Sequence, residues 1–217
     1  MNTLVLDDYT INLIKTMALC KTEQMKAIKN KVMANPFAPS SDKRLLFFDE
    51  LHKNGLQKSD EYISNVMSIV IDTWVIWHVK TLDQDNSCEA IDYLHPAFEL
   101  KRYVSSKFDR DWNARWNAAG KEIKWKGVSK KDGRMIALKT SPIWQALGRG
   151  VGGFNDSWGL PYPPFAIGSG MDWMQIEREE CISLGLITEE YPDGPLSEAE
   201  KDIIEAVEKY GMPKIEY

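Results

Sequence analysis

Apolar residues recur at helical spacing through the first third of the chain. Leu13, Ile14, Met17, Met25, Ile28 and Val32 can share one broad face, which predicts a first helix ending before Pro36 and Pro39. Asp42 can cap a second helix through Lys53 that turns Leu45, Leu46, Phe48 and Leu51 inward, with Gly55 as its stop. Ser59 opens a third helix to about Lys80. Its residues Ile63, Val66, Met67, Ile69, Val70, Trp74, Ile76 and Trp77 are apolar nearly all round, so it needs partners on more than one side.

After Asp83 the pattern changes. A polar stretch, DQDNSCEA, reads as a connection. In HPAFELKRYV the residues Phe98, Leu100, Arg102 and Val104 alternate imperfectly and predict a strand. A short helix from Asp109 to Ala119 follows, with Gly120 as its stop and Trp112 and Trp116 four apart on one face. EIKWKGV and RMIALK alternate around Asp132-Gly133, a hairpin signal that sets Ile123 and Trp125 opposite Met135 and Ala137. Ser141 and Pro142 open a short helix, PIWQAL.

Five glycines then crowd Gly148 to Gly159, and Pro161, Pro163 and Pro164 stiffen the chain beyond them. Gly168 and Gly170 predict a tight turn. Asp172 and Gln175 stand at capping-box spacing, which predicts a helix carrying Trp173, Ile176, Cys181 and Leu184 and stopped by Gly185. Ser197 and Glu200 cap a last helix closed by Gly211. The expected fold class is α+β: a helical region over residues 1–82, then a region over 83–217 with a small antiparallel sheet, short helices and a long Pro/Gly-rich loop.

Composition narrows this only a little. The 217 residues are 43% hydrophobic and 27% charged, an ordinary globular balance able to form a core without disulfides or metals. A net charge of −5 argues against a dedicated nucleic-acid binder, and nucleic-acid contact is not signalled. A local basic cluster, Lys121 to Arg134, reads as a solvated face. Cys20, Cys88 and Cys181 are odd in number and far apart, which fits a reducing compartment and signals neither a disulfide framework nor a zinc site. The start of the chain lacks the pattern of a secretory signal. The most apolar segment, Val66 to Val79, is interrupted by Asp72 and falls short of the roughly 18 to 20 residues that span a bilayer. No membrane contact is expected.

No residue set spells out a reaction. GRGVGGF follows a helix and runs into prolines, unlike a phosphate-binding loop between strand and helix. Gly168-Ser169-Gly170 lacks the spacing of a nucleophile elbow. His52, His78 and His95 are scattered and form no metal pattern. Glu177, Glu179 and Glu180 read as the polar side of an amphipathic helix. The expectation is therefore a chain with no catalytic residues, no cofactor and no metal. Six of the eight tryptophans lie between Trp112 and Trp173 and read as core plus protein interface. The interface candidates are Trp74 and Trp77 on the apolar helix, and Tyr162, Phe165, Met171 and Trp173 on the stiff loop.

Four segments in order carry a resemblance: DWxxRWxxAG (Asp111 to Gly120), GRMIALKxxPIW (Gly133 to Trp144), PYPPFAIGSGMDW (Pro161 to Trp173) and EREECISLGL (Glu177 to Leu186). Together they resemble a module of tailed-phage and prophage proteins described as head-morphogenesis or minor structural proteins. The resemblance covers roughly residues 96 to 190. It implies a non-enzymatic virion or assembly protein that acts through self-association or contact with other phage structural proteins. Its place would be the bacterial cytoplasm during assembly, and then the virion. The competing readings are a small prophage-encoded enzyme, a nuclease or transferase effector, and a tryptophan-lined module for a small ligand.

Overall fold

The computed structural model describes residues 6–34, 49, 59–85, 89–104, 108, 110–125, 133–190, 201 and 205. The expected cap at Asp42 with its apolar face, the Asp132 half of the hairpin turn and the Ser197–Glu200 capping box lie outside them.

Where one first helix was expected there are two. Helix α1 (Asp8–Ala18) is capped by Asp7, whose carboxylate accepts the Thr10 amide at 2.7 Å. Helix α2 (Glu23–Met33) starts at Thr22, whose hydroxyl accepts the Met25 amide at 3.2 Å. Between them Cys20 takes a left-handed conformation (φ 50°), which a continuing helix forbids. The expected apolar face survives the break: Ile14, Met17, Met25, Ile28 and Val32 are all buried.

Helix α3 (Asp60–Asp85) is capped as expected, with Ser59 Oγ accepting the Tyr62 amide at 3.3 Å, and runs past Lys80. Its partners lie within the chain. Helices α1 and α2 cover one side, and the Trp74 indole donates to the Ala18 carbonyl at 2.8 Å. Trp158 and Ile167, from the Pro/Gly-rich loop, join the same core. Trp77 meets Trp158 edge-to-face, with ring centroids 5.1 Å apart.

After the short helix α4 (Glu89–Leu94), strand β1 (Ala97–Arg102) forms the centre of a three-stranded antiparallel sheet. Strand β2 (Ile136–Leu138) pairs on one side, with Phe98 opposite Ala137. Strand β3 (Met171–Ile176) pairs on the other, with Leu100 opposite Trp173. Alternation sorts the two faces. One buries Leu100, Ala137 and Met171 under helices α5 (Trp112–Glu122) and α6 (Ile143–Arg149). The other packs Ala97, Ile136 and Ile176 against Cys181 of helix α7 (Arg178–Ser183) and against Ile187.

Three expectations change here. Helix α5 continues through Gly120, where a Cβ would meet Trp125 and Ile143 at 3.8 and 4.0 Å, ordinary van der Waals contact. Tertiary packing outweighs glycine's poor helix propensity. The helix ends at Ile123, and Lys124 then turns left-handed (φ 51°). No strand starts at Glu122, and β2 pairs with β1. Ile123, Trp125, Met135 and Ala137 nonetheless share one apolar cluster.

The third change is at Asp172, which begins no helix. Met171–Ile176 is a strand because its alternate side chains meet both faces of the sheet, and it lies at the sheet's edge beside β1. Asp172 Oδ1 accepts the Trp173 amide at 2.7 Å and pairs with Lys80 of α3 at 2.8 Å. That leaves α7 only six residues long, stopped at Gly185 (φ 70°) as expected. No helix among the described residues is long and apolar enough to cross a membrane.

Two glycines separate sterics from backbone preference. A Cβ at Gly148 would lie 1.7 Å from the Leu160 carbonyl oxygen, whereas one at Gly185 would meet nothing within 4 Å. Gly185→Ala is expected to cost about 1–2 kcal/mol, the left-handed penalty alone. Gly148→Ala should cost more, about 3 kcal/mol or above, since backbone must move. Urea unfolding of the two variants checks the order.

Candidate functional site

The segment from Gly150 to Gly170 contains no regular element, yet most of its middle is buried. Its backbone is tied to itself. Trp158 N donates to Phe165 O at 3.0 Å, Ile167 N to Asp156 O at 3.0 Å, and Gly159 N to Gly148 O at 2.8 Å. Ser169, fully buried, donates to the Pro164 carbonyl and accepts the Met171 amide at 3.2 Å. That hydroxyl fastens the turn.

The polar centre is Asp156. Arg110 Nε donates to its Oδ2 at 2.6 Å and Arg115 Nη2 to its Oδ1 at 2.5 Å; all three side chains are at least nine-tenths buried. Arg110 also donates to the Ile167 carbonyl, and Arg115 Nη1 to Ser157 Oγ at 3.1 Å. The Arg115 guanidinium lies 4.4 Å from the Phe154 ring centroid and 5.3 Å from that of Trp112. Burial alone would push the Asp156 carboxyl up, but hydrogen bonds from Arg115 and Arg110 outweigh it and hold the group below the usual carboxylate range. Helix α1 joins the same loop through Asn155, which accepts from Lys15 Nζ at 2.6 Å and donates to Asp8 at 2.6 Å.

The six interface candidates fall at the packing seams. Trp74, Trp77, Phe165 and Met171 are buried inside the chain, and Tyr162 and Trp173 are half-buried. Trp173 stacks on Phe98 with centroids 4.3 Å apart and meets Trp144 edge-to-face at 5.5 Å; Phe165 stacks on Trp144 at 6.0 Å. These side chains hold the loop to the sheet and to α3. Among the described residues, the exposed large apolar side chains are Tyr9, Leu19, Tyr103 and Val104.

The remaining candidates separate. Glu180 and the buried Glu99 are bridged by Arg134, at 2.6 Å to Glu99. The hydrogen bonds it donates to Glu99 and then to Glu180 push the guanidinium further up and hold it charged. Glu177 and Glu179 are exposed, as is His78. His95 is half-buried, and its Nδ1 is buried without a partner. No group of three or more His, Cys, Asp or Glu among the described residues could hold a metal ion. The Arg110–Asp156–Arg115 clamp was not legible as a set. Its members lie 41 and 46 residues apart, and only Arg115 stood inside a noticed motif. Compared with family models, curated proteins and solved structures, the chain matches none.

Asp156→Ala would leave two buried guanidiniums facing each other, so a loss of about 3–5 kcal/mol is expected. Glu23→Gln, in the exposed pair with Lys26, should cost under about 1 kcal/mol. Denaturant midpoints of the two variants test the contrast. Because the folded Asp156 carboxyl is depressed, its contribution is present above the ordinary value of 3.8 and is lost as pH falls through the folded one.

His95 behaves likewise at higher pH. Burial, then Lys139, push the imidazole below its ordinary 6.5, against Glu177 and Glu179. A depressed histidine favours the fold fully above that value, and the contribution fades as pH falls through the folded one. Stability measured between pH 7.5 and pH 5 (about one to two units either side of an ordinary histidine) should drop more steeply in wild type than in His95→Gln. Parallel curves would exclude this role for His95.

Proposed function

We propose that the chain is a non-enzymatic structural or assembly protein of a tailed phage or prophage, acting through protein–protein contacts. The reading rests on the four-segment resemblance. The observation that carries it furthest is the use made of the polar residues in those segments and in the loop between them. Asp156 and Arg115 are committed to the buried ion pair that ties the loop to α5, Ser169 to the loop's own backbone, and Glu180 to Arg134. Side chains that could do chemistry hold a shape instead. A loop so fastened presents the same surface at every encounter and so loses little conformational entropy on docking. The partners on this reading are further copies of the chain or other phage structural proteins. The setting is the bacterial cytoplasm during assembly, and afterwards the virion.

Co-expression with head and neck components of a tailed phage, followed by density-gradient sedimentation, tests the proposal. The chain should travel with particles or assembly intermediates, and Glu179→Gln, Glu180→Gln and His95→Ala should leave that distribution unchanged. A chain found only in the unassembled fractions would overturn the reading.

A further inference from the structure

The chain carries −5 overall, but its charge is sorted by position. From Lys21 to Met33, Lys21, Lys26, Lys29 and Lys31 face a single acid, Glu23. Lys21, Lys26 and Lys31 are exposed and Lys29 is half-buried, while Met25, Ile28 and Val32 hold the opposite side of α2 to the core. Lys15 lies close enough to Lys21 for the two charges to repel. Leu19, 40% exposed, borders this basic face and offers it an apolar edge.

The complementary surface is at α7 and the turn after it. From Glu177 to Glu190 the one base is Arg178, which is buried with its guanidinium 4.0 Å from the Tyr93 ring centroid. Glu177, Glu179, Glu189 and Glu190 are exposed. The two faces belong to different packing clusters: helix α2 packs with α3 and the loop, and helix α7 packs against Ala97, Ile136 and Ile176.

We propose that the α2 face docks onto the α7 face of a second copy of this chain. The proposal deepens the contact reading above by naming one partner. Charge complementarity selects the occupant: each copy carries both surfaces, and α2 and α7 bury their apolar sides in different clusters of the chain. Because the two surfaces differ, the contact is heterologous and repeats head to tail, giving a ring or a filament rather than a two-fold dimer. Exposed ion pairs are individually weak and salt-screened, so the contact forms at high local concentration and is strongly salt-dependent.

The test is mass in solution by light scattering across a concentration series. It is run at about 0.1 M and about 1 M salt, between which the Debye length falls from about 10 Å to about 3 Å. Wild type should exceed 24.8 kDa at the lower salt and return to it at the higher. Lys26→Glu with Lys31→Glu, and separately Glu179→Lys with Glu189→Lys, should each stay monomeric. An equimolar mixture of the two double variants should associate again, because each restores the complement the other lost. A misfolded variant gives no such rescue.

A wild type monomeric at the lower salt, association indifferent to salt, or failure of the mixture each overturns the proposal. So does binding of a DNA duplex through Lys26 and Lys31 by a chain that remains monomeric. A monomer that still sediments with particles would remove self-docking and leave the assembly reading standing. Self-docking without particle association would do the reverse.

Discussion

A carboxylate between two guanidiniums sits where three parts of this protein meet. Asp156 belongs to the loop, Arg115 to α5, and Arg110 to the segment leading into that helix. Two cations against one anion would be a poor arrangement in a dry interior. The surplus is spread by other means: the Ile167 carbonyl and Ser157 hydroxyl accept from the arginines, and the Phe154 and Trp112 rings lie near Arg115. Each of those acceptors and rings is itself on the loop or on α5. The clamp therefore fixes the relative position of both, and a loop with no ladder of its own gains the rigidity of a secondary element.

That rigidity passes in two directions. Toward the sheet, Phe165 and Trp173 interlock with Trp144 and Phe98, so the loop serves as part of the layer that covers the Leu100 face. Toward the helices, Trp158 and Ile167 enter the core of α1, α2 and α3. Helix α3 is apolar nearly all round because it is enclosed by helices on one side and by this loop on another. Its tryptophans are explained by packing inside one copy of the chain.

Helical periodicity and caps were readable where they were local. The Ser59 cap, the apolar face of α1 and α2, and the glycine stop after α7 follow from short-range rules. The break between α1 and α2 was legible in principle through Thr22, a cap residue inside an apparently continuous pattern. Asp172 misled because an aspartate three residues before a glutamine also fits a strand, when the carboxylate bonds the adjacent amide on the outer edge. Gly120 misled because a helix held by tertiary packing carries through a glycine that would end an isolated one. The Asp156 clamp was out of reach because it too is tertiary. A contact spanning more than 40 residues has no period to announce it.

The outer edge of β3 is guarded against strand addition by the chain's own side chains. The amides of Met171 and Trp173 fall between the rungs shared with β1, on the side where another strand could add. Both are already taken, by Ser169 Oγ and Asp172 Oδ1. Lys80 adds a charge at Asp172, which further disfavours pairing by a foreign backbone. Backbone pairing is indifferent to sequence, whereas charged faces on helices distinguish partners by pattern. With these two edge amides held by side chains of the chain itself, strand addition is disfavoured here, and a charged helix face is the kind of surface that can encode a particular partner.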